Sequence, residues 1–236
     1  MLNTLLMLEW RKVRTDAFLI LLATMSPLLA VLLRIYWPVL NQNFPNWQLN
    51  QYASMASVLL ATITPMMMGF ILGFQLLLER EANLLAAISV TRLGLRRYIL
   101  LRVAVYSAIG FLLTVVIHQL LGLVVLPLWQ VVCIALLSLP LLGLSLLLLM
   151  RLAKNLVEGF AAMKALGFLI SVPIIVVLFV PVPWYWLAGI LPTFWSIAGY
   201  HAIAAGEQAG WWMMLFGAVY QMIVCGLLWL RLLNRK

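Results

Sequence analysis

The sequence predicts an all-α polytopic membrane protein with six transmembrane helices, and three observations lead there. Hydrophobic residues make up 66% of the 236-residue chain and charged residues 9%, with a mean hydropathy of +1.12. A soluble domain is roughly 45–50% apolar and about 25% charged. The apolar residues gather into six runs long enough to cross hydrocarbon. Basic residues collect in alternate connections between those runs, as cytoplasmic loops do. Composition therefore excludes a soluble globular domain, a disordered chain and an ordinary nucleic-acid-binding domain. The absence of alternating short strands disfavours a barrel. Two cysteines are too few for a disulfide framework.

The chain reads as a single transmembrane domain over 1–236. A span needs about 20 apolar residues, because the hydrocarbon core is about 30 Å thick and each helical residue rises about 1.5 Å. Residues 1–16 are too polar for that. Leu2, Leu5, Leu6 and Val13 share a helical face beside Glu9, Arg11, Lys12 and Arg14, which predicts an interfacial helix. No small-x-small cleavage site follows, so the segment reads as a retained anchor. The spans are expected at 17–36, 53–78, 98–126, 128–150, 159–180 and 209–230. Only Pro127-Leu128-Trp129 separates the third from the fourth, which predicts a tight helical hairpin. Pro27, Pro65, Pro140 and Pro173 are expected kinks.

Orientation follows from the basic residues. Segments 1–16, 79–97, 151–158 and 231–236 hold Arg11, Lys12, Arg14, Arg80, Arg92, Arg96, Arg97, Arg151, Lys154, Arg231, Arg235 and Lys236. Both termini are thus expected in the cytoplasm. Arg102 and Lys164 lie about a turn inside neighbouring helix ends, within snorkelling reach; for Lys164, pairing with a buried acid is the second reading. Only Arg34 falls at an outer end. The outer connections, 37–52 and 181–208, contain no Lys or Arg and one acid, Glu207. Eight of the ten tryptophans (Trp37, Trp47, Trp129, Trp184, Trp186, Trp195, Trp211 and Trp212) fall at or near that face, as an interfacial belt would.

Nothing in the sequence supports catalysis by this chain. No lysine sits in a G-x-x-x-x-G-K-[ST] phosphate loop. His118 and His201 are far apart, H-E-x-x-H is absent, and Cys133 and Cys225 are expected at opposite ends of their spans. Gly143-Leu144-Ser145 is the nearest string to a serine nucleophile motif and lacks its second glycine. No catalytic, cofactor-binding or metal-binding residue is assigned.

Two connections and a few buried amides carry the remaining information. Segment 79–97 begins with acids (Glu79, Arg80, Glu81), continues through apolar Leu84–Val90 and ends in a basic cluster at Arg92, Arg96 and Arg97. The apolar middle predicts a short helix pressed on the membrane or on a partner. Ser89 or Thr91 is the expected helix cap, and Gly94 the break. The charges serve either as solubilising loop residues or as a contact. In the next loop, Lys154 and Glu158 stand at i, i+4 and can pair on a helix. Inside the spans, Gln75, His118, Gln119, Ser138, Ser171 and Gln221 are polar. Such groups either join helices or line a pathway. Gln75, His118 and Gln221 are the candidates for a substrate route. No cluster of acids marks a proton path, which argues for an apolar or amphiphilic cargo.

These loops resemble a known family. Ala153-Lys154-Asn155-x-Val157-Glu158-Gly159 with Lys164, and Glu79-Arg80-Glu81 through Thr91 with Tyr98 and Arg102, are similar to ABC-2-type transporter permeases. The drug, fluoroquinolone and antibiotic-peptide export branch is the nearest in size. Arg92 stands where that family commonly has proline. The resemblance implies a six-span subunit of an ATP-binding-cassette exporter in the bacterial plasma (inner) membrane. It implies two copies of a separate ATPase carrying ATP and Mg, and a second permease subunit, identical or paralogous. Segment 79–97 would form the coupling helix, with Glu79, Arg80, Glu81, Ser89, Arg92, Arg96 and Arg97 at the ATPase contact. Lys154, Asn155, Glu158, Gly159 and Lys164 would open the fifth span. Pro181 to Trp195 would form re-entrant helices. A stand-alone secondary transporter and a non-transporting assembly factor are the alternatives.

Overall fold

The computed structural model describes residues 17–91, 94–181 and 183–233, so the expected interfacial helix at 1–16 and Arg92 lie outside the described residues. Among the described residues all regular structure is helical. The α-helices are α1 (Ala17–Asn43), α2 (Ala53–Glu81), α3 (Leu84–Ser89), α4 (Leu95–Leu121), α5 (Leu128–Ser138), α6 (Pro140–Leu152), α7 (Leu156–Phe179), α8 (Phe194–Ala204) and α9 (Ala209–Leu233). Short 3-10 turns lie at Pro45–Trp47, Leu49–Tyr52 and Trp184–Ile190. Six helical stretches are long and apolar enough to cross a membrane: α1, α2 with the turn before it, α4, α5 with α6, α7, and α9.

Several boundaries differ from the expected ones. The first span runs on to Asn43 through Pro38, and α2 continues to Glu81, so the acid-rich start of segment 79–97 is helical. The third span stops at Leu121 rather than 126. Gly122 takes a left-handed conformation (φ 63°) and its N–H caps the His118 carbonyl. Pro127 then disfavours helix in the residue before it. The corner between the third and fourth spans is therefore an irregular connection over 122–127, bent at 123–124, rather than a tight hairpin. The fourth span is broken at Leu139, and Pro140 opens the second half, where its missing N–H costs nothing.

Burial is uneven. In the most apolar window of the second span 83% of residues are buried, and in the fourth 56%, against 22% in the first, fifth and sixth. The bundle is thus built around α2, with α6 beside it. Close approach between them depends on Gly69 and Gly73, four apart on one face of α2. A Cβ at Gly69 would collide with Ser145 Oγ and the Leu142 carbonyl, and one at Gly73 would lie 2.6 Å from Leu149 Cδ2. Small residues let helix backbones approach in this way where hydrocarbon offers no hydrophobic drive.

The segment between α7 and α9 folds inward. Phe194, Ile197 and Tyr200 of α8 are fully buried. Thr193 Oγ1 donates to the Leu169 carbonyl of α7. Gln221 Nε2 of α9 donates to the Pro192 carbonyl (2.8 Å) and to Ser196 Oγ (3.0 Å). The α8 and α9 backbones nearly touch, since a Cβ at Gly210 would stand 2.5 Å from the Gly199 oxygen. Gly226, on the same helix, has nothing within 4 Å of such a Cβ. Gly210→Ala is therefore expected to destabilise the protein by about 1–3 kcal/mol through overpacking. Gly226→Ala should be neutral or slightly stabilising through helix propensity. Thermal unfolding of the two variants in one detergent checks the pair.

Candidate functional site

Glu79, Arg80 and Glu81 close α2, and each reaches a different neighbour. Glu79 points into the bundle and is 5% exposed. Its carboxylate accepts from Arg102 Nη1 of α4 at 2.9 Å and from the Tyr98 hydroxyl at 3.0 Å. Arg102 is 0% exposed; its guanidinium lies 5.3 Å from the Tyr98 ring centroid and also donates to Gln75 Oε1, which accepts from the Tyr106 hydroxyl at 3.0 Å. Gln75 and Glu79 are four apart on α2, while Tyr98, Arg102 and Tyr106 are spaced by four on α4. Two polar stripes therefore zip together inside an apolar bundle. Arg102 does not snorkel, because a buried carboxylate stands within its reach.

Arg80 and Glu81 turn toward the loop after the fourth span. Arg80 Nη2 donates to the Ala153 carbonyl at 2.7 Å, and Glu81 Oε1 accepts from the Leu156 N–H at 3.0 Å. That N–H belongs to the first residue of α7, which otherwise lacks an intrahelical partner. Asn155 caps the same helix: its Oδ1 accepts from the Glu158 N–H at 2.9 Å. Glu158 in turn accepts from the backbone N–H of Lys154 at 2.8 Å, so the expected pairing with the Lys154 ammonium is replaced by a backbone bond. Gly159 faces α2, where an added Cβ would lie 2.8 Å from Phe74 Cε1. Lys164 is exposed, and no acid pairs with it among the described residues.

The short helix α3 follows Asn83, which takes a left-handed conformation (φ 58°). Leu85 packs on the core, while Leu84 and Val90 are exposed, Val90 at 87%. Neither Ser89 nor Thr91 caps a helix start. Both hydroxyls bond back to carbonyls three residues earlier, at the end of α3. Their short side chains compete for backbone carbonyls as a helix closes. Gly94 (φ 70°) instead precedes α4, whose first turn carries Arg96 and Arg97, both exposed. Arg80, Leu85, Arg96, Met150 and Trp229 line a groove of about 210 Å³ at this end.

The three proposed pathway residues are all engaged with protein. Gln75 lies in the Arg102 network, Gln221 ties α9 to the start of α8, and His118 Nε2 meets the Tyr200 hydroxyl at 2.7 Å. A parallel contact joins Ser54 of α2 to His201 Nδ1 at 2.9 Å. Adjacent residues of α8 are thereby pinned to α4 and to α2. Ser138 and Ser171 bond back to their own helices. In the sequence only Tyr98 stands out, through the family resemblance; Tyr106 and Tyr200 do not. Their signal is the i, i+4 spacing around Arg102, and the neighbouring polar pair at 200 and 201.

Removing one member of a buried ion pair strands the other, at a cost of about 3–5 kcal/mol. Arg102→Leu and Glu79→Leu should each lower stability by that order. The double variant Glu79→Leu/Arg102→Leu should recover most of the loss. A double-mutant cycle on unfolding in detergent checks this, and additive losses would contradict it.

A search of curated proteins and a search of solved structures each return no significant match to this chain. One family profile, described as Fluoroquinolones export permease protein Rv2686c-like, matches residues 9–229. With nearly the whole sequence inside that match and six helices fit to cross a membrane, the chain belongs to the Rv2686c-like fluoroquinolones export permease family.

Proposed function

We propose that this chain is the membrane subunit of an ABC-2-type exporter, with its basic end toward the cytoplasm of a bacterial plasma membrane. Two copies of a partner ATPase supply the energy, and a second permease subunit, identical or paralogous, completes the pathway. The cargo is apolar or amphiphilic. Membership of an export permease family supports transport, and the absence of a phosphate loop in the sequence leaves hydrolysis to a partner.

The observation that carries the coupling reading is the fan of bonds from the last turn of α2. Glu79 holds α4, Arg80 holds the end of α6 at Ala153, and Glu81 holds the start of α7. Force applied to α3, or to the exposed Arg96 and Arg97 beside it, reaches the central helix and two outer ones through short polar links. Closure of the ATPase pair does work only if its surface contacts two permease states unequally. Arg96 and Arg97 suit that contact, and Glu79, Arg80 and Glu81 brace it. The segment from Trp184 to Ala204, tied to α7 and α9, suits a re-entrant plug opposite the ATPase.

Affinity purification in mild detergent should bring down a P-loop ATPase with this chain. Transport by the purified chain alone, without ATP, would contradict the proposal. Arg97→Glu should lower transport-coupled ATPase activity while the subunit still inserts. Glu81→Lys should do the same by freeing the start of α7. Wild-type turnover in both variants would remove the coupling role.

A further inference from the structure

At the end of the bundle opposite the Glu79 network, the start of α5, the last turn of α8 and the start of α9 enclose a cleft of about 540 Å³. That is within the usual range for a small-molecule site, roughly 300–1,000 Å³. Trp129 and Trp211 stack there, with ring centroids 5.7 Å apart and planes 19° apart, and Trp212 and Glu207 complete the wall. Trp129 is 60% exposed and Trp212 74%.

The charge arrangement is unusual for this end of the molecule. Glu207 is the only acid in the sequence after Glu158, and no Lys or Arg lies between Lys164 and Arg231. Arg34, the basic residue of this end, donates to the Leu120 carbonyl instead. Among the described residues the Glu207 carboxylate makes no ion pair and accepts no hydrogen bond. It is not consumed as a helix cap either: backbone carbonyls of Glu207 and Gln208 take the N–H groups of Gly210 and Trp211 at 3.2 Å. His201 is not bonded to it: its Nδ1 meets the Ser54 hydroxyl, and burial lowers the pKa of that imidazole against the opposing pull of Glu207. Gly206 (φ 84°) shapes the turn, and the Glu207 N–H is fixed to the Ala202 carbonyl at 2.9 Å.

We propose that this cleft binds a free organic cation with an apolar body, the charge meeting Glu207 and the indole faces, and the body lying along Trp129, Trp211 and Trp212. Indoles are the best aromatic partners for a cation, and aromatic cages with a nearby carboxylate suit ammonium and phosphonium groups. Membrane anchoring accounts for each tryptophan alone. It does not account for a stacked pair walled by the one unpartnered carboxylate of that end. The side on which the cleft opens rests on the orientation proposed above; the site itself does not.

The test is equilibrium binding of radiolabelled tetraphenylphosphonium to the purified full chain in a neutral maltoside detergent, without ATPase or ATP. Saturable one-site binding is expected. Glu207→Gln should weaken it about tenfold, Trp212→Ala roughly three- to tenfold, and Glu207→Asp should retain most of it. Trp184→Ala, an exposed tryptophan outside the cleft, should leave it unchanged. Glu207 and Trp212 are exposed, so their replacement leaves the core intact. Equal affinity in wild type, Glu207→Gln and Trp212→Ala overturns the proposal, as does the absence of saturable binding. Displacement by glycerophosphocholine as effective as by unlabelled tetraphenylphosphonium would overturn the free cation in favour of a lipid headgroup. Because the measurement uses neither transport nor a partner, its failure leaves the exporter reading standing, and failure to find an ATPase leaves this site standing.

Discussion

The buried pair of Glu79 and Arg102 is the constraint around which the rest of this bundle is arranged. Two full charges inside an apolar protein are tolerable only when each is answered by the other and by further hydrogen bonds. Here the answer requires α2 and α4 to lie in one register, so that Gln75 and Glu79 face Tyr98, Arg102 and Tyr106. Apolar side chains alone would let those helices slide by a turn at little cost, because lipid tails and leucines are nearly equivalent surroundings. The polar zip removes that freedom. Once α2 and α4 are fixed, the next two residues of α2 fix the loop before α7 and the N-terminus of that helix.

At the opposite end the same problem is solved with weaker groups. Tyr200 and His201 pin α8 to α4 and α2, while Gln221 and Thr193 pin its entrance to α9 and α7. No full charge is involved in these links. The α8 unit is therefore held by several neutral hydrogen bonds and by glycine-mediated contact with α9, each modest alone. The contrast gives the molecule one end locked by an ion pair and another held by a distributed set of smaller ties.

The six apolar runs were legible because composition alone separates hydrocarbon-crossing helices from their connections. The helix ends were not. Glu79, Arg80 and Glu81, and likewise Arg96 and Arg97, look like loop residues in a sequence, yet they are helical. Tertiary partners satisfy the first three, and that information is not local. Arg102 shows the same gap: one basic residue a turn inside a span normally reaches outward, and only its acid across the loop turns it inward. Gly122 with Pro127, by contrast, did carry a readable stop signal ahead of the apolar residues that extended the expected third span. Ser89 and Thr91 illustrate a further ambiguity, since a hydroxyl near a helix end can serve either its start or its close. The Glu207 cleft was half visible. The isolated acid and the tryptophan-rich end could be read off, but their convergence needed the fold.

The uneven burial has an evolutionary consequence. A chain whose second helix touches most of the others, while its first, fifth and sixth spans are the least buried, cannot accept change evenly along its length. In α2 most substitutions meet neighbours on every side, and at Gly69 even a methyl group has no room. In α1 and α7 one apolar residue can replace another wherever the side chain faces only hydrocarbon. Descendants of such a protein should drift quickly around a slowly changing axis, keeping the 53–81 segment recognisable after the outer helices have diverged.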